Sequence, residues 1–335
     1  MKAVRVHAYG KRPTVDDIPE PTVSGPLDVL VEIGAAGLCR TDLHIVEGQW
    51  AEKSGVSLPY VIGHENAGWV REVGDAVTNV APGDAVILHT LVTCGLCRPC
   101  RSGDDVHCEN SKFPGIDTDG GMAELLLTNA RSVVKLADGL APKDVAALAD
   151  AGLTAYHAVR KAVPLLYPGT TCVVVGAGGL GHIGVQCLLA MTATTVVVVD
   201  PNEKARELAK ELGAHDVRAN GDDLTESAHV VLDFVGEQGA EKQGLAITRR
   251  AGSYFIIGYG GSVDIPTIDL ISTERNIIGN LVGSYNDLDE LMTLAAQGSV
   301  TLHTRTYPLT AVNEAMDDLE AGRLQGRGIL VPDGK

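Results

Sequence analysis

Four cysteines, Cys94, Cys97, Cys100 and Cys108, are spaced C-x2-C-x2-C-x7-C in the turn-rich stretch CGLCRPCRSGDDVHC. Thiols gathered this closely point to a metal. Tetrahedral zinc takes four thiolates, and a Cys-x2-Cys turn lets two sulfurs converge without backbone strain, which closes the coordination shell and makes the site structural. An iron–sulfur cluster has compatible early spacing but expects its fourth cysteine sooner and followed by proline, whereas Glu109 follows Cys108. Disulfides suit neither the odd total of seven cysteines nor the lack of an apolar leader. Arg98, Arg101 and Lys112 are close enough in sequence to offset the charge of four thiolates.

A second group is GAGGLG, where Gly176, Gly178 and Gly181 spell G-x-G-x-x-G directly after the β-branched run TTCVVV. Alone the motif is weak. Its context is not: a helical pattern starts at Leu180, and the next β-branched run, TTVVVV, ends in Asp200. A carboxylate there accepts bonds from both hydroxyls of an adenosine ribose. Gly176, Gly178, Gly179, Leu180 and Gly181 would form the loop whose backbone approaches a pyrophosphate at a helix N-terminus. Asp200 repels a ribose 2′-phosphate, which predicts NAD over NADP, and the nearby Lys204 and Arg206 would soften that preference.

The remaining chemistry is scattered over GLCRTDLH (Cys39 to His44), GHE (Gly63 to Glu65) and LADAG (Leu148 to Gly152). Each is a feeble signal alone, since a lone cysteine or histidine in a β-rich region is more often core than ligand. With the first two motifs they carry a likeness over essentially the whole length: the chain resembles the zinc-dependent medium-chain alcohol dehydrogenases. The resemblance implies NAD and two zinc ions per chain, one catalytic and one structural. It implies Cys39 and His64 as ligands of the catalytic zinc. The third ligand of that family is usually cysteine, and the matching position here is Asp150. This departure preserves formal charge but supplies a harder, less donating ligand, so a more Lewis-acidic and more easily lost ion is expected.

By the same resemblance Asp42 fixes the tautomer of His64, and Glu65 lies beside the metal, the fallback ligand should Asp150 not coordinate. An open fourth position is implied, where a substrate hydroxyl becomes acidic enough to ionise near neutral pH. Thr41 and His44 match the proton relay, a task suited to a hydroxyl that accepts and donates at once and to an imidazole that titrates near neutrality. Arg40 and Arg327 match positions that clamp the pyrophosphate with planar, bidentate donors. Ile257, Gly258 and Tyr259 match a strand end whose backbone meets the nicotinamide amide. Trp50, Leu58 and the stretch from His89 to Leu91 fall where that family lines its substrate pocket.

Holding such groups takes two kinds of scaffold, and at 335 residues the chain is long enough for both. From Met1 to about Asp150, short runs such as VLVEIG, GDAVILHT and MAELLLT, broken by Gly and Pro, predict a β-rich partly open barrel or sandwich. From Ala151 the pattern alternates: the helix AGLTAYHAVRKAV, the two β-branched runs around the glycine loop, the helix NEKARELAKELGA, then the buried strands HVVLDFVG, GSYFIIGYG and NIIGNLVGS. Alternation of this kind builds a doubly wound parallel sheet. The expected fold class is therefore α/β, a Rossmann doubly wound parallel sheet plus a β-rich catalytic domain that the resemblance makes GroES-like. Expected boundaries are 1–151 for the catalytic zinc domain, 152–284 for the NAD-binding domain and 285–335 for a return to the first.

Composition bounds the partners. With 45% hydrophobic and 21% charged residues the chain is neither disordered nor fibrous. A net charge of −16 disfavours nucleic acid and anionic membranes and leaves small molecules as the default partners; the resemblance implies a small alcohol, ketone or aldehyde as substrate. The N-terminus MKAVRVHAYGKRPTVDD scatters its charges and reads as no signal peptide, so the cytoplasm is expected. The charge-free run from Thr170 to Val199 is broken by glycines and reads as strand, loop and helix rather than a membrane span. Cys172 and Cys187 within it are expected to be buried apolar residues. The resemblance implies a homo-oligomer, tetramer or dimer, with NIIGNLVGS extending the sheet across an interface. The expected function is reversible hydride transfer between a primary or secondary alcohol and NAD. A polyol or sugar dehydrogenase of the same family, or a non-catalytic NAD-binding zinc protein, are the alternatives.

Overall fold

A computed structural model describes residues 1–333. They fall into two compact units, Met1–Ala151 together with the chain from Ser284 onward, and Gly152–Gly283.

The first unit is built on a seven-stranded sheet. Its main path runs Thr304–Pro308, Arg327–Val331, Asp28–Leu38, Glu65–Val73, Ala85–Leu88 and Val133–Lys135, and Leu125–Asn129 also pairs with Asp28–Leu38. Pairing is antiparallel except between Thr304–Pro308 and Arg327–Val331. A bulge at Gly34, where Ile33 and Ala35 face the successive residues Gly68 and Ala67, bends the long Asp28–Leu38 strand. Its first half, through Val29, Val31 and Ile33, fills one core with Val70, Val86 and Leu126. Its second half, through Ala36 and Leu38, fills another with Leu43, Ile45, Tyr60 and Met122. The register also fixes where chemistry can gather. Gly37 pairs with Glu65 and Leu38 with Gly328, so the end of Asp28–Leu38 meets the starts of Glu65–Val73 and Arg327–Val331 at one edge.

The second unit is a six-stranded, wholly parallel sheet in the order Asp216–Arg218, Thr195–Val199, Thr171–Val175, Ala228–Asp233, Thr248–Ile256, Asn276–Gly279. In chain order this is 3-2-1-4-5-6, the dinucleotide-binding arrangement. The helix Gly181–Met191 is buried on every side from Gly181 to Leu188, which accounts for the charge-free run: nothing on this helix faces water until its last turn. Cys172 and Cys187 are both wholly buried, and burial pushes both thiols up, Cys187 to about 12. The edge strand Asp216–Arg218 and the helices Ala240–Ile247 and Thr267–Thr273 are absent from the sequence reading. All three are short, and none carries a long apolar period to betray it.

Candidate metal centres and cofactor loop

Cys39 closes the strand Asp28–Leu38 and stands at the N-cap of the helix Arg40–Glu47. Asp42, in that helix's first turn, accepts the Cys39 amide through Oδ2 at 2.8 Å, the carboxylate half of a capping box. Its other oxygen, Oδ1, lies 3.3 Å from His64 Nδ1. One wholly buried carboxylate therefore fixes the start of the helix and faces the imidazole. His64 precedes the strand Glu65–Val73, and its carbonyl accepts the Thr90 hydroxyl at 3.0 Å. Asp150 comes from the turn after Ala146–Ala149, with Oδ2 3.5 Å from His64 Nε2.

One ligand atom from each of Cys39, His64, Glu65 and Asp150 lies within 4.8 Å of every other. Tetrahedral zinc with such ligands spaces them roughly 3.3–3.8 Å apart, so modest closure around an ion suffices. Two further features fit a cation. His64 Nε2 and Glu65 Oε2 are buried with no hydrogen-bond partner, a cost that a metal bond removes. The electrostatics agree. Burial opposes a proton on His64, yet Asp42, then Asp150 and Cys39, outweigh it and hold the imidazole well above its ordinary value. The pocket thus draws a positive charge to the centre of its anions.

Glu65 leans the other way, toward Arg327. Its Oε1 accepts the Ala151 amide at 3.0 Å and the Arg327 guanidinium. Gly37 makes room for this side chain, since a Cβ there would lie 2.0 Å from Glu65 Oε2. Burial raises the Glu65 carboxyl despite the guanidinium beside it. For Arg327, desolvation is outweighed by Glu65 and then Cys39, so its pKa is raised.

The four clustered cysteines also converge, each offering a sulfur within 4.8 Å of the rest. Backbone amides support them: Cys94 donates to Cys108 Sγ at 3.2 Å, Cys97 to Cys94 Sγ at 3.4 Å and Asn110 to Cys108 Sγ at 3.4 Å. Amides of Leu96 and then Cys97 pull the Cys94 thiol down to about 6, while burial pushes Cys100 up to about 12. Four converging sulfurs, one readily ionised, suit a closed zinc site. A guanidinium beside this knuckle comes from Arg131. A Cβ on Gly95 would lie 2.5 Å from its Cζ, and its Nε donates to the Thr93 carbonyl at 3.3 Å.

In the second unit the glycine loop has the shape its sequence requires. Gly176 has φ +84°, and a Cβ on Gly181 would lie 1.8 Å from the Gly176 carbonyl oxygen, so turn and helix pack backbone on backbone. Nothing lies within 4 Å of a Cβ on Gly178, leaving that face of the loop open to a phosphate. Asp200 ends Thr195–Val199 and accepts the Ala177 amide through Oδ2 and the Asn202 amide through Oδ1, each at 2.8 Å. Arg206 donates to the carbonyls of Asp200 and Pro201, both at 2.8 Å.

Residues 25–138 match the alcohol dehydrogenase GroES-like domain and 179–297 the zinc-binding dehydrogenase domain. An NAD-dependent alcohol dehydrogenase of Sulfurisphaera tokodaii is 35% identical over 352 residues, covering 99% of this chain and all of the relative. The chain belongs to the zinc-dependent medium-chain alcohol dehydrogenase family. The chain is also similar to the D-arabinose 1-dehydrogenase (NADP(+)) of Saccharolobus solfataricus, 33% identical over 99% of this chain and 97% of the relative. The crystal structure of the alcohol dehydrogenase from Aeropyrum pernix shares 44% identity with a TM-score of 0.95, covering 99% of this chain and all of that one.

Within this member of the family, Arg40, Thr41 and His44 share the helix that Cys39 starts. The three- and four-residue spacings of His44 from Thr41 and Arg40 put them on one helix face. Arg327 is only 4% exposed and turned onto Glu65. Ile257 and Gly258 donate their amides to the Asp233 carbonyl, and Tyr259 is exposed beyond them. Three contributors escape sequence reading: Arg131, far along the chain from the cysteines it covers; Phe113, edge-on to His64 with centroids 5.9 Å apart; and Asp233. None stands in a motif that marks it.

Proposed function

We propose that the chain is an NAD-dependent zinc alcohol dehydrogenase that interconverts primary or secondary alcohols with aldehydes or ketones. The observation that carries this reading is the convergence of Cys39, His64 and Asp150, with Glu65, on one buried point where an imidazole nitrogen has no partner. Cys39, His64 and Asp150 hold the catalytic zinc, and Cys94, Cys97, Cys100 and Cys108 a second, structural one. When bound, zinc would make the substrate hydroxyl acidic and NAD would accept a hydride from the carbon that bears it. The chain's own residues do the rest. Asp42 holds His64 in the tautomer that leaves Nε2 free to ligate, because a proton on Nδ1 is drawn to the facing carboxylate. Thr41 takes the substrate proton and His44 passes it outward, as a hydroxyl and an imidazole can. The Gly176–Gly181 loop carries the pyrophosphate with help from Arg40, Asp200 binds the adenosine ribose, and Ile257, Gly258 and Tyr259 present backbone to the nicotinamide. Arg327, which the family likeness makes a pyrophosphate clamp, holds Glu65 beside the zinc ligands.

A polyol or sugar substrate is the second reading, favoured by the D-arabinose dehydrogenase among the relatives. We assign a homo-oligomer, dimer or tetramer. Asn276–Gly279 is an outermost strand, and Ile268, Ile271 and Leu281 around it are more than half exposed, as for a sheet continued by a second copy. Seven free cysteines, four of them gathered for a metal, suit a reducing compartment, and we place the protein in the cytoplasm. No helix among the described residues is long and apolar enough to cross a membrane. The deciding experiment combines metal analysis with NAD reduction across simple alcohols and sorbitol-type polyols. Two zincs per chain and turnover of simple alcohols are expected. Turnover of polyols alone selects the second reading, and zinc without any turnover selects a non-catalytic binding protein.

A further inference from the structure

Asp233 is the last residue of the strand Ala228–Asp233, beside the point where the parallel sheet reverses its strand order. Ligands of such sheets sit beyond the carboxyl ends of the strands at that reversal. Asp233 is wholly buried and well bonded. Its Oδ2 accepts the Tyr254 hydroxyl at 2.6 Å, and its Oδ1 accepts the amides of Val235 and Gly236, each at 2.9 Å. Its own carbonyl accepts the amides of Ile257 at 2.9 Å and Gly258 at 3.0 Å. A single residue thus ties the loop leaving its own strand to the loop leaving the neighbouring strand Thr248–Ile256.

The two loops meet backbone to backbone. A Cβ on Gly236, where φ is +63°, would lie 2.0 Å from the Gly258 carbonyl oxygen, and the Gly261 amide donates to the Gly236 carbonyl at 2.8 Å. Tyr254 is pinned in turn by the helix Ala240–Ile247, where a Cβ on Gly244 would lie 2.5 Å from its ring. Burial and the Asp233 carboxylate together hold the tyrosine hydroxyl protonated, a permanent donor. If the only task were to fill the core, an apolar pair would serve as well, because a buried carboxylate is costly to desolvate. A fully bonded one fixes a single loop conformation.

We propose that Asp233, acting with Tyr254, is the positioning residue for the nicotinamide half of the dinucleotide, holding the Val235–Gly236 and Ile257–Gly258 backbones as one surface. This rests on the dinucleotide reading given above. The adenosine half is bound at a different strand end, by Asp200, so the two halves can be separated by experiment. Dissociation constants for NADH and for ADP-ribose, which lacks the nicotinamide, are measured on the parent, Tyr254→Phe, Asp233→Asn and Asp233→Ala. Removing the tyrosine hydroxyl should weaken NADH about five- to twentyfold, part of the worth of a hydrogen bond to a carboxylate, and ADP-ribose less than about twofold. Asp233→Asn keeps an acceptor for both loop amides and should fall between the parent and Asp233→Ala. Should Tyr254→Phe fail to fold, Asp233→Asn carries the same comparison. Parallel weakening of both ligands, or a lowered melting temperature with both constants unchanged, overturns the assignment while leaving the dinucleotide site standing. A folded parent that binds neither ligand overturns the dinucleotide reading and this one with it.

Discussion

Arg327→Met tests the buried pair beside the metal centre. Glu65 is wholly inaccessible and Arg327 only 4% exposed, so neither charge is hydrated. Among the described residues the guanidinium is the cation paired with Glu65 Oε1, which also accepts the Ala151 amide. Methionine fills much of the arginine's volume but leaves a buried carboxylate without a counter-charge. Breaking a buried pair from one side costs about 3–5 kcal/mol. For a unit of this size that lowers the melting temperature by roughly 6–15 °C. Calorimetry should be run on metal-free protein, where no zinc substitutes for the lost guanidinium, and again after zinc loading, where the deficit should shrink. Adding Glu65→Gln to Arg327→Met keeps an acceptor for Ala151 without the charge and should restore at least half of the loss. A single variant within about 1 kcal/mol of the parent, or a double variant no more stable than the single, refutes the reasoning.

Three further perturbations follow from the same geometry. Asp200→Gly removes the carboxylate proposed to bind the ribose and leaves Arg206 beside it, so the preference for NAD over NADP should fall about tenfold or more, and an unchanged ratio of kcat/KM values removes Asp200 from that role. Arg131→Ala uncovers the Cys94–Cys97 knuckle and should speed loss of one zinc to a chromophoric chelator by about tenfold, whereas release at the parental rate assigns the charge balance to other residues. His229 accepts the Thr171 amide through Nδ1 at 3.1 Å, and burial, then Arg249, depress its pKa. A histidine depressed in the fold contributes its stability in full above its ordinary value, and that contribution is lost as pH falls through the lower folded value. The melting temperature of the parent should therefore fall between about pH 7 and pH 5 more than that of His229→Gln, by the worth of about one hydrogen bond or 0.5–1.5 kcal/mol, and equal slopes would rule the histidine out.

What the chain declared in advance was local. The glycine loop, the β-branched runs on either side of it and the four close cysteines are written within short stretches, and each is shaped by sterics or coordination geometry acting on near neighbours. The alternation after Ala151 announced a parallel sheet because each strand and its crossover helix are consecutive. Cys39, His64 and Asp150 could be singled out as candidate ligands only through a family likeness, since nothing in their own stretches of sequence distinguishes a ligand from a core residue. Tertiary structure decided how they meet: antiparallel register brings the end of Asp28–Leu38 to the starts of Glu65–Val73 and Arg327–Val331. The pairing of Arg327 with Glu65, Arg131 over the cysteine knuckle and Asp233 under two loops arose the same way. Each joins residues far apart in the chain through strand register and shared burial, and such contacts leave no periodicity to read.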